Sequence, residues 1–283
     1  MSPLHRAQKH VPSREIGGRM GFSLSPGGVR GAFMLAVFEA LTYAQSLPAT
    51  ADSDIVTDRP DVTESSIVVP TGSLQIENGI TWTSDHRFRT FDLPESLMRF
   101  GLSTRTEFRI AVPNYLGGVS GPDPTGFGDI TLGIKEQLGP LPKGFDLSVI
   151  LAVSLPVGAS GVSSHGYDPF IKLPWSKELK GGWSIGGMQS LFSNTDGGKR
   201  NAVWEPTFYI EREITKQWQA FAEYAGDFAQ HGGPKEIAHF GTAYRLSARQ
   251  QVDFHFGFGA SRSAPSHFFA MGYSFRIDRL WER

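Results

Sequence analysis

The chain has 283 residues, 27 basic against 28 acidic side chains, and no cysteine. A mean hydropathy of −0.21 leaves no room for a bundle of membrane-spanning helices. The net charge of −1 gives no broad electrostatic footprint for nucleic acid, and the missing thiols exclude disulfide scaffolds and cysteine-ligated metals. What remains is a length that suits two ordinary domains or one large β-architecture, with 33 Gly and 21 Phe.

Residues 1–30 are basic and irregular, with Arg6, Lys9, Arg14, Arg19 and Arg30 ahead of an apolar run from Gly31 to Phe38. Basic residues before a short apolar run and small-x-small triplets form the pattern of a secretory signal. Thr42-Tyr43-Ala44 and Ala49-Thr50-Ala51 both fit a cleavage site. Residues 1–44 are therefore expected to be a signal peptide, with cleavage as late as 51 and Met20 as an alternative start. The competing reading, favoured by Glu39 within the run, is an amphipathic helix on a cytosolic domain. Export without cysteine points to a Gram-negative periplasm or outer membrane.

Residues 45–72 carry Asp52, Asp54, Asp58, Arg59, Asp61 and Glu64 without an apolar period, and Pro60 and Pro70 disfavour regular structure. This stretch reads either as a periplasmic linker or as a plug folded into the domain C-terminal to it.

From residue 73 to 277 the dominant period is two. In Leu97–Ile110, Met98, Phe100, Leu102, Phe108 and Ile110 share one face, while Arg99, Arg105, Glu107 and Arg109 share the other. On a helix these charges would scatter; on a strand they form one row. Twelve strands are expected: 73–83, 86–91, 97–110, 127–138, 145–155, 169–176, 183–192, 203–213, 216–226, 237–246, 250–259 and 267–277. The second and sixth carry the weakest signal, which makes ten the fallback count. Short connections at 93–96, 139–144, 177–182, 214–215 and 247–249 alternate with longer ones at 111–126, 156–168, 193–202, 227–236 and 260–266. Short turns on one side and longer loops on the other mark an all-β, antiparallel, up-and-down transmembrane β-barrel with its short turns in the periplasm. Trp82, Trp175, Trp183, Trp204, Trp218, Tyr244 and Tyr273 sit near strand ends, where amphipathic rings favour the headgroup level. Glu136 and Arg212, on the outward face, also lie near short-turn ends. The competing architecture is a soluble β-sandwich, which also alternates but would carry more charge on its outer face.

With the polar face inward, the lumen is expected to be lined by Arg99, Arg105, Glu107, Arg109, Asp129, Lys135, Glu205, Glu211, Glu223, Arg245, Asp253 and His255. Basic residues gather on the third strand and acidic ones on the eighth and ninth. Two arrangements are compatible with this: a transverse field that orients a polar solute or an aromatic one with an acidic group, or an internal salt-bridge network that braces the wall. Tyr115, Tyr167 and Phe170 are expected at the mouth, suited to stacking on an aromatic ring. Asp58, Arg59, Asp61 and Glu64 would make the plug or a periplasmic contact.

Several patches carry a family resemblance. They are Thr57-Asp58-Arg59-Pro60-Asp61, Val69-Pro70-Thr71-Gly72, Arg99-Phe100-Gly101-Leu102, Pro113-Asn114-Tyr115, Gly126-Phe127-Gly128-Asp129-Ile130, Gly166-Tyr167-Asp168-Pro169 and Leu173-Pro174-Trp175. The chain resembles a family of outer-membrane transporters linked to the meta pathway of phenol degradation, chiefly over residues 57–190. The resemblance implies an outer-membrane barrel and a role in aromatic-compound uptake, and it carries no functional residues over. One departure is the end. Barrels of this kind close on a terminal aromatic residue read by the assembly machinery, whereas here the chain runs past Phe275 into a tail, 278–283.

No catalytic constellation is expected. Ser164-His165 are neighbours in a loop, and a nucleophile and its base must converge in space. Asp123, Asp129 and Asp168 lack the close-packed pattern of a calcium loop, so neither metal nor cofactor is predicted. The expected partners are outer-membrane lipid and lipopolysaccharide, the barrel-assembly machinery and a small-molecule solute. Two functions fit: a transport barrel for small apolar or aromatic compounds, or a structural or adhesive barrel with a closed lumen.

Overall fold

A computed structural model describes residues 53–85, 88–120 and 125–280. The expected signal peptide, its alternative start at Met20, Asp123 and residues 281–283 of the tail lie outside the described residues.

Fifteen ladder segments make twelve barrel strands. Nine are continuous: β1 (Leu74–Asp85), β8 (Phe145–Leu155), β9 (Asp168–Glu178), β10 (Trp183–Asp196), β11 (Lys199–Glu213), β12 (Trp218–Ala229), β13 (Lys235–Ser247), β14 (Gln250–Gly259) and β15 (His267–Ile277). Three are broken in two: β2 (Phe88–Leu93) with β3 (Leu97–Gly101), β5 (Tyr115–Ser120) with β4 (Thr106–Ala111), and β6 (Gly126–Phe127) with β7 (Ile130–Gln137). Every pairing is antiparallel. β15 returns to β1, from Leu74↔Ile277 to Ser84↔His267, and closes the sheet. Closure removes the free edges a sandwich would keep and overturns the sandwich alternative.

The wall is inside out relative to a soluble protein. Arg99, Glu107, Lys135 and Glu205 are 0% exposed, whereas Leu151, Leu191 and Met271 expose 57–59%. An apolar exterior around a polar lumen is stable only with lipid outside, and an even number of antiparallel strands is the form of the bacterial outer membrane. The rims fit that setting. Near the short-turn rim, Arg212 lies 4.9 Å over the Trp183 ring and Lys177 4.5 Å over Phe145. Trp218 donates from Nε1 to Thr242 Oγ1 at 2.6 Å. Near the other rim, Trp82 stacks on Phe269 and Trp204 packs on Phe228.

The twelve-strand count holds, but its parts are redistributed. Leu97–Ile110 is not one strand. It is the hairpin β3–β4, turned at 102–105, with Arg99 opposite Arg109. Ser103 forms the turn, its Oγ accepting from the amides of Arg105 and Thr106. Alternation cannot show this turn, because it pairs residues of equal parity and the period passes through in phase. Conversely, 93–96 is not a turn but the break between β2 and β3, both paired with β1. The expected loop 111–126 contains β5. The breaks fall at Pro94, Pro113 and Gly128, where proline withholds a ladder donor and glycine marks an irregularity. The expected loop 193–202 is also ladder. β10 and β11 run on to Asp196↔Lys199 and turn through Gly197-Gly198, whose φ values of 55° and 77° suit a two-residue hairpin.

Candidate solute path and its inner segment

Residues 57–69 lie inside the barrel, and 53–56 meet its short-turn rim. The lumen side chains that contact them come from strands all round the wall, which no segment outside it could reach. On the basic side, Asp58 Oδ2 meets Arg109 Nη1 at 2.7 Å, and Oδ1 meets Lys135 Nζ at 3.2 Å and Arg99 Nη1 at 3.4 Å. Glu64 Oε2 meets Arg109 Nη2 at 2.6 Å, and Oε1 meets Lys172 Nζ at 2.5 Å. Wall acids join the same network. Arg99 donates from Nε to Glu107 Oε1 at 2.9 Å and from Nη1 to Glu77 Oε1 at 3.0 Å. The segment's backbone takes the remaining capacity. Ile67 O accepts from Arg99 Nη2 at 2.8 Å, and Val69 N donates to Glu107 Oε2 at 2.8 Å.

On the acidic side the polarity is reversed. The amides of Val62 and Thr63 donate to the two oxygens of Glu223, each at 2.8 Å. Thr63 Oγ1 touches Thr207, and His239 Nε2 closes on Glu223 from behind. At these contacts the segment meets cations with carboxylates and a carboxylate with N–H donors, as buried ionic groups require, while its Asp61 lies near the acids Glu223 and Glu211. Beside that contact, Val62 packs with Ala225, Ile237, Ala264 and Phe268. Ala264 brings the outer loop 260–266 into the cluster.

Arg59 occupies a seat made by glycine. Gly79 and Gly272 face each other across β1 and β15. A Cβ at Gly79 would come within 2.2 Å of the guanidinium, and one at Gly272 within 2.4 Å. Glu95 at 2.9 Å and Asp253 at 3.3 Å hold its two ends. The tail closes the other end. Asp278 accepts from Ser73 Oγ at 2.9 Å, Arg276 Nε at 2.6 Å and Arg249 Nε at 2.5 Å, and Leu280 N donates to Gly72 O at 2.8 Å. Partial burial pushes the Asp278 carboxyl up, but these donors outweigh it and hold it below the usual carboxylate range.

The family described as "Putative MetA-pathway of phenol degradation" matches residues 57–277, which takes in both the inner segment and the barrel. The chain belongs to this family. No curated protein sequence matches it. Its fold is that of solved outer-membrane channels. It is similar to the COG4313 outer membrane channel from Pseudomonas putida F1 at a TM-score of 0.62 and 11% identity, over 77% of this chain and 99% of that one. The NanC porin gives 0.54 and 11% over 72% and 100%, and the KdgM porin gives 0.51 and 7% over 71% and 98%.

In this member of the phenol-degradation family, Arg99, Glu107, Arg109, Lys135, Glu205, Glu223, Asp253 and His255 are buried on the inner face. Glu211 is half-buried and accepts from Ser184 Oγ at 3.3 Å. Arg245 sits near the short-turn rim and binds Asp54. Asp58, Arg59, Asp61 and Glu64 all belong to the inner segment. Three expectations need correction. Arg105 lies in the β3–β4 turn at the rim, not along the wall. Asp129 sits in the break after β6 and accepts from the amides of Gly158 and Ser164, each at 2.9 Å, so it organises an outer loop. Tyr115 pairs with Leu93 and packs on Phe127 on the outward face. The break at Pro113 shifts the alternation by one residue and turns Tyr115 toward lipid. Tyr167 is exposed in an outer loop, and Phe170 faces the lumen. Sequence reasoning passes over Glu77, Glu95, Lys172 and His239. Alternation in 73–83 and 169–176 marks Glu77 and Lys172, whereas Glu95 stands in a stretch whose composition reads as a turn.

Proposed function

We propose that the chain is an outer-membrane channel for small apolar or aromatic compounds whose lumen is closed by its own residues 53–72. The observation that carries this reading is the pair of opposed contacts made by one segment: Asp58 and Glu64 on the basic wall, Val62 and Thr63 on Glu223. The family's link to phenol degradation supports the aromatic solute. Exposed Tyr167 on the outer loop suits first contact with a ring. Lipid and lipopolysaccharide would surround the barrel, and the assembly machinery would read the outward Phe269, Met271, Tyr273 and Phe275 of β15.

The test is a deletion of residues 53–66 in planar bilayers. Conductance and solute flux should rise well above those of the full chain, about tenfold or more. A deletion protein that folds and conducts like the full chain would contradict the closure. The filled, ion-paired lumen also favours a second reading, a structural barrel closed for good, which predicts that no solute raises the conductance of the full chain.

A further inference from the structure

Two phenylalanines stand on the inner face among charged side chains. Phe170 and Phe192 are direct register partners on β9 and β10, with ring centroids 5.1 Å apart, and Phe192 is buried. Both flank Lys172, whose Nζ lies 5.5 Å from one ring centroid and 5.7 Å from the other. The same ammonium holds one oxygen of Glu64 at 2.5 Å, while Arg109 holds the other at 2.6 Å. A carboxylate, two cations and an aromatic pair therefore meet within reach of one lysine.

We propose that Lys172, Arg109, Phe170 and Phe192 form a recognition site for aromatic carboxylates, and that Glu64 occupies it as an internal competitor. This rests on reading residues 53–72 as the closure of the channel. A solute carboxylate takes the place of the Glu64 carboxylate between the two cations, and its ring lies against the phenyl pair. Binding therefore releases this end of the inner segment. A bracing salt bridge alone would need only the charges, and the rings add what a glutamate cannot use: a surface for a planar apolar body.

The charge balance points the same way. The wall supplies Arg99, Arg109, Lys135 and Lys172 against Glu77 and Glu107, and the segment adds Asp58 and Glu64. Without the segment's two acids, this side of the lumen carries an excess of cations and attracts anions. The acidic wall begins at Glu205, the register partner of Ser190, which itself pairs with Lys172. Anion affinity is thereby confined to one side of the path. A neutral aromatic gives Lys172 nothing in exchange for Glu64, and acetate gives the rings nothing.

The test is calorimetric titration of the folded full chain in detergent with benzoate, benzyl alcohol and acetate, beside bilayer conductance. Glu64→Gln removes the competing charge and keeps the shape, so benzoate should bind it at least about tenfold more tightly than the wild type. Adding Lys172→Met should abolish that binding. The Phe170→Ala/Phe192→Ala double variant should reduce benzoate to the level of acetate. In the wild type, benzoate should raise conductance, and it should not do so in the phenylalanine double variant. That arm needs no Glu64 variant to fold. Equal benzoate affinity for wild type and Glu64→Gln, or benzyl alcohol or acetate binding as well as benzoate, would overturn the proposal. If deleting residues 53–66 opens the channel and benzoate still fails to bind, this inference falls and the closure reading stands. If the deletion leaves conductance unchanged, the closure reading falls, and with it the release step.

Discussion

Arg99 is the residue on which most of the lumen network converges. It binds Glu77, Glu107 and Asp58 with a guanidinium that is wholly buried. Arg99→Ala would leave those carboxylates without their shared partner, a loss of about 3–5 kcal/mol where charges are buried. Thermal unfolding in detergent should show a large drop in stability. Gly79→Ala separates closure from folding. Its Cβ would meet the far end of the Arg59 side chain and no backbone atom within the nearest contacts. The barrel should still fold, with some loss of stability because Glu95 and the buried Asp253 lose their partner, while Arg59 leaves its seat and conductance rises several-fold; conductance traces on the folded variant check this. Residue types on one face of a strand are open to sequence reading wherever alternation runs unbroken, as for Arg99 and Lys135. They are hidden where a break shifts the phase, as at Tyr115, and where the partner lies far away in sequence, as for Arg59 and Asp253.

At the level of elements, the inner segment is held mainly by ionic and hydrogen-bonding groups, which water can satisfy on release. An apolar filling would close the lumen equally well, but exposing it would cost about 25 cal/mol for each Å². The tail behaves similarly. Asp278 contributes stability above the ordinary carboxylate range, because its pKa is lowered in the folded state. That contribution is lost as pH falls through the folded value. The twelve strands are legible from period two, since lipid outside and charge inside enforce alternation along each one. The β3–β4 turn is not, because equal-parity pairing carries the period through it, and only Ser103 marks the spot. The fate of residues 53–72 is equally hidden: a segment without periodicity has no face to predict, and its partners lie on strands as far along the chain as β15.

For the whole molecule, the inside-out wall sets the response to substitution. Leu151 is exposed near the middle of β8. Leu151→Arg would place a charge in hydrocarbon at a cost of about 2–4 kcal/mol, and its unfolding midpoint in lipid should fall accordingly. The barrel itself should keep its shape in cold detergent and shift its gel migration only after boiling.

The measurement that tests the closed lumen most directly uses the absence of native cysteine. Ser66 Oγ on the inner segment lies 2.8 Å from Ser176 Oγ on β9. The Ser66→Cys/Ser176→Cys variant should therefore form a disulfide that ties the segment to the wall. Conductance would be recorded on the oxidised protein and again after adding reductant. A channel closed by residues 53–72 should stay shut when oxidised and regain wild-type solute flux once the bond is cut. An oxidised, fully cross-linked protein that conducts as well as the reduced one would contradict it.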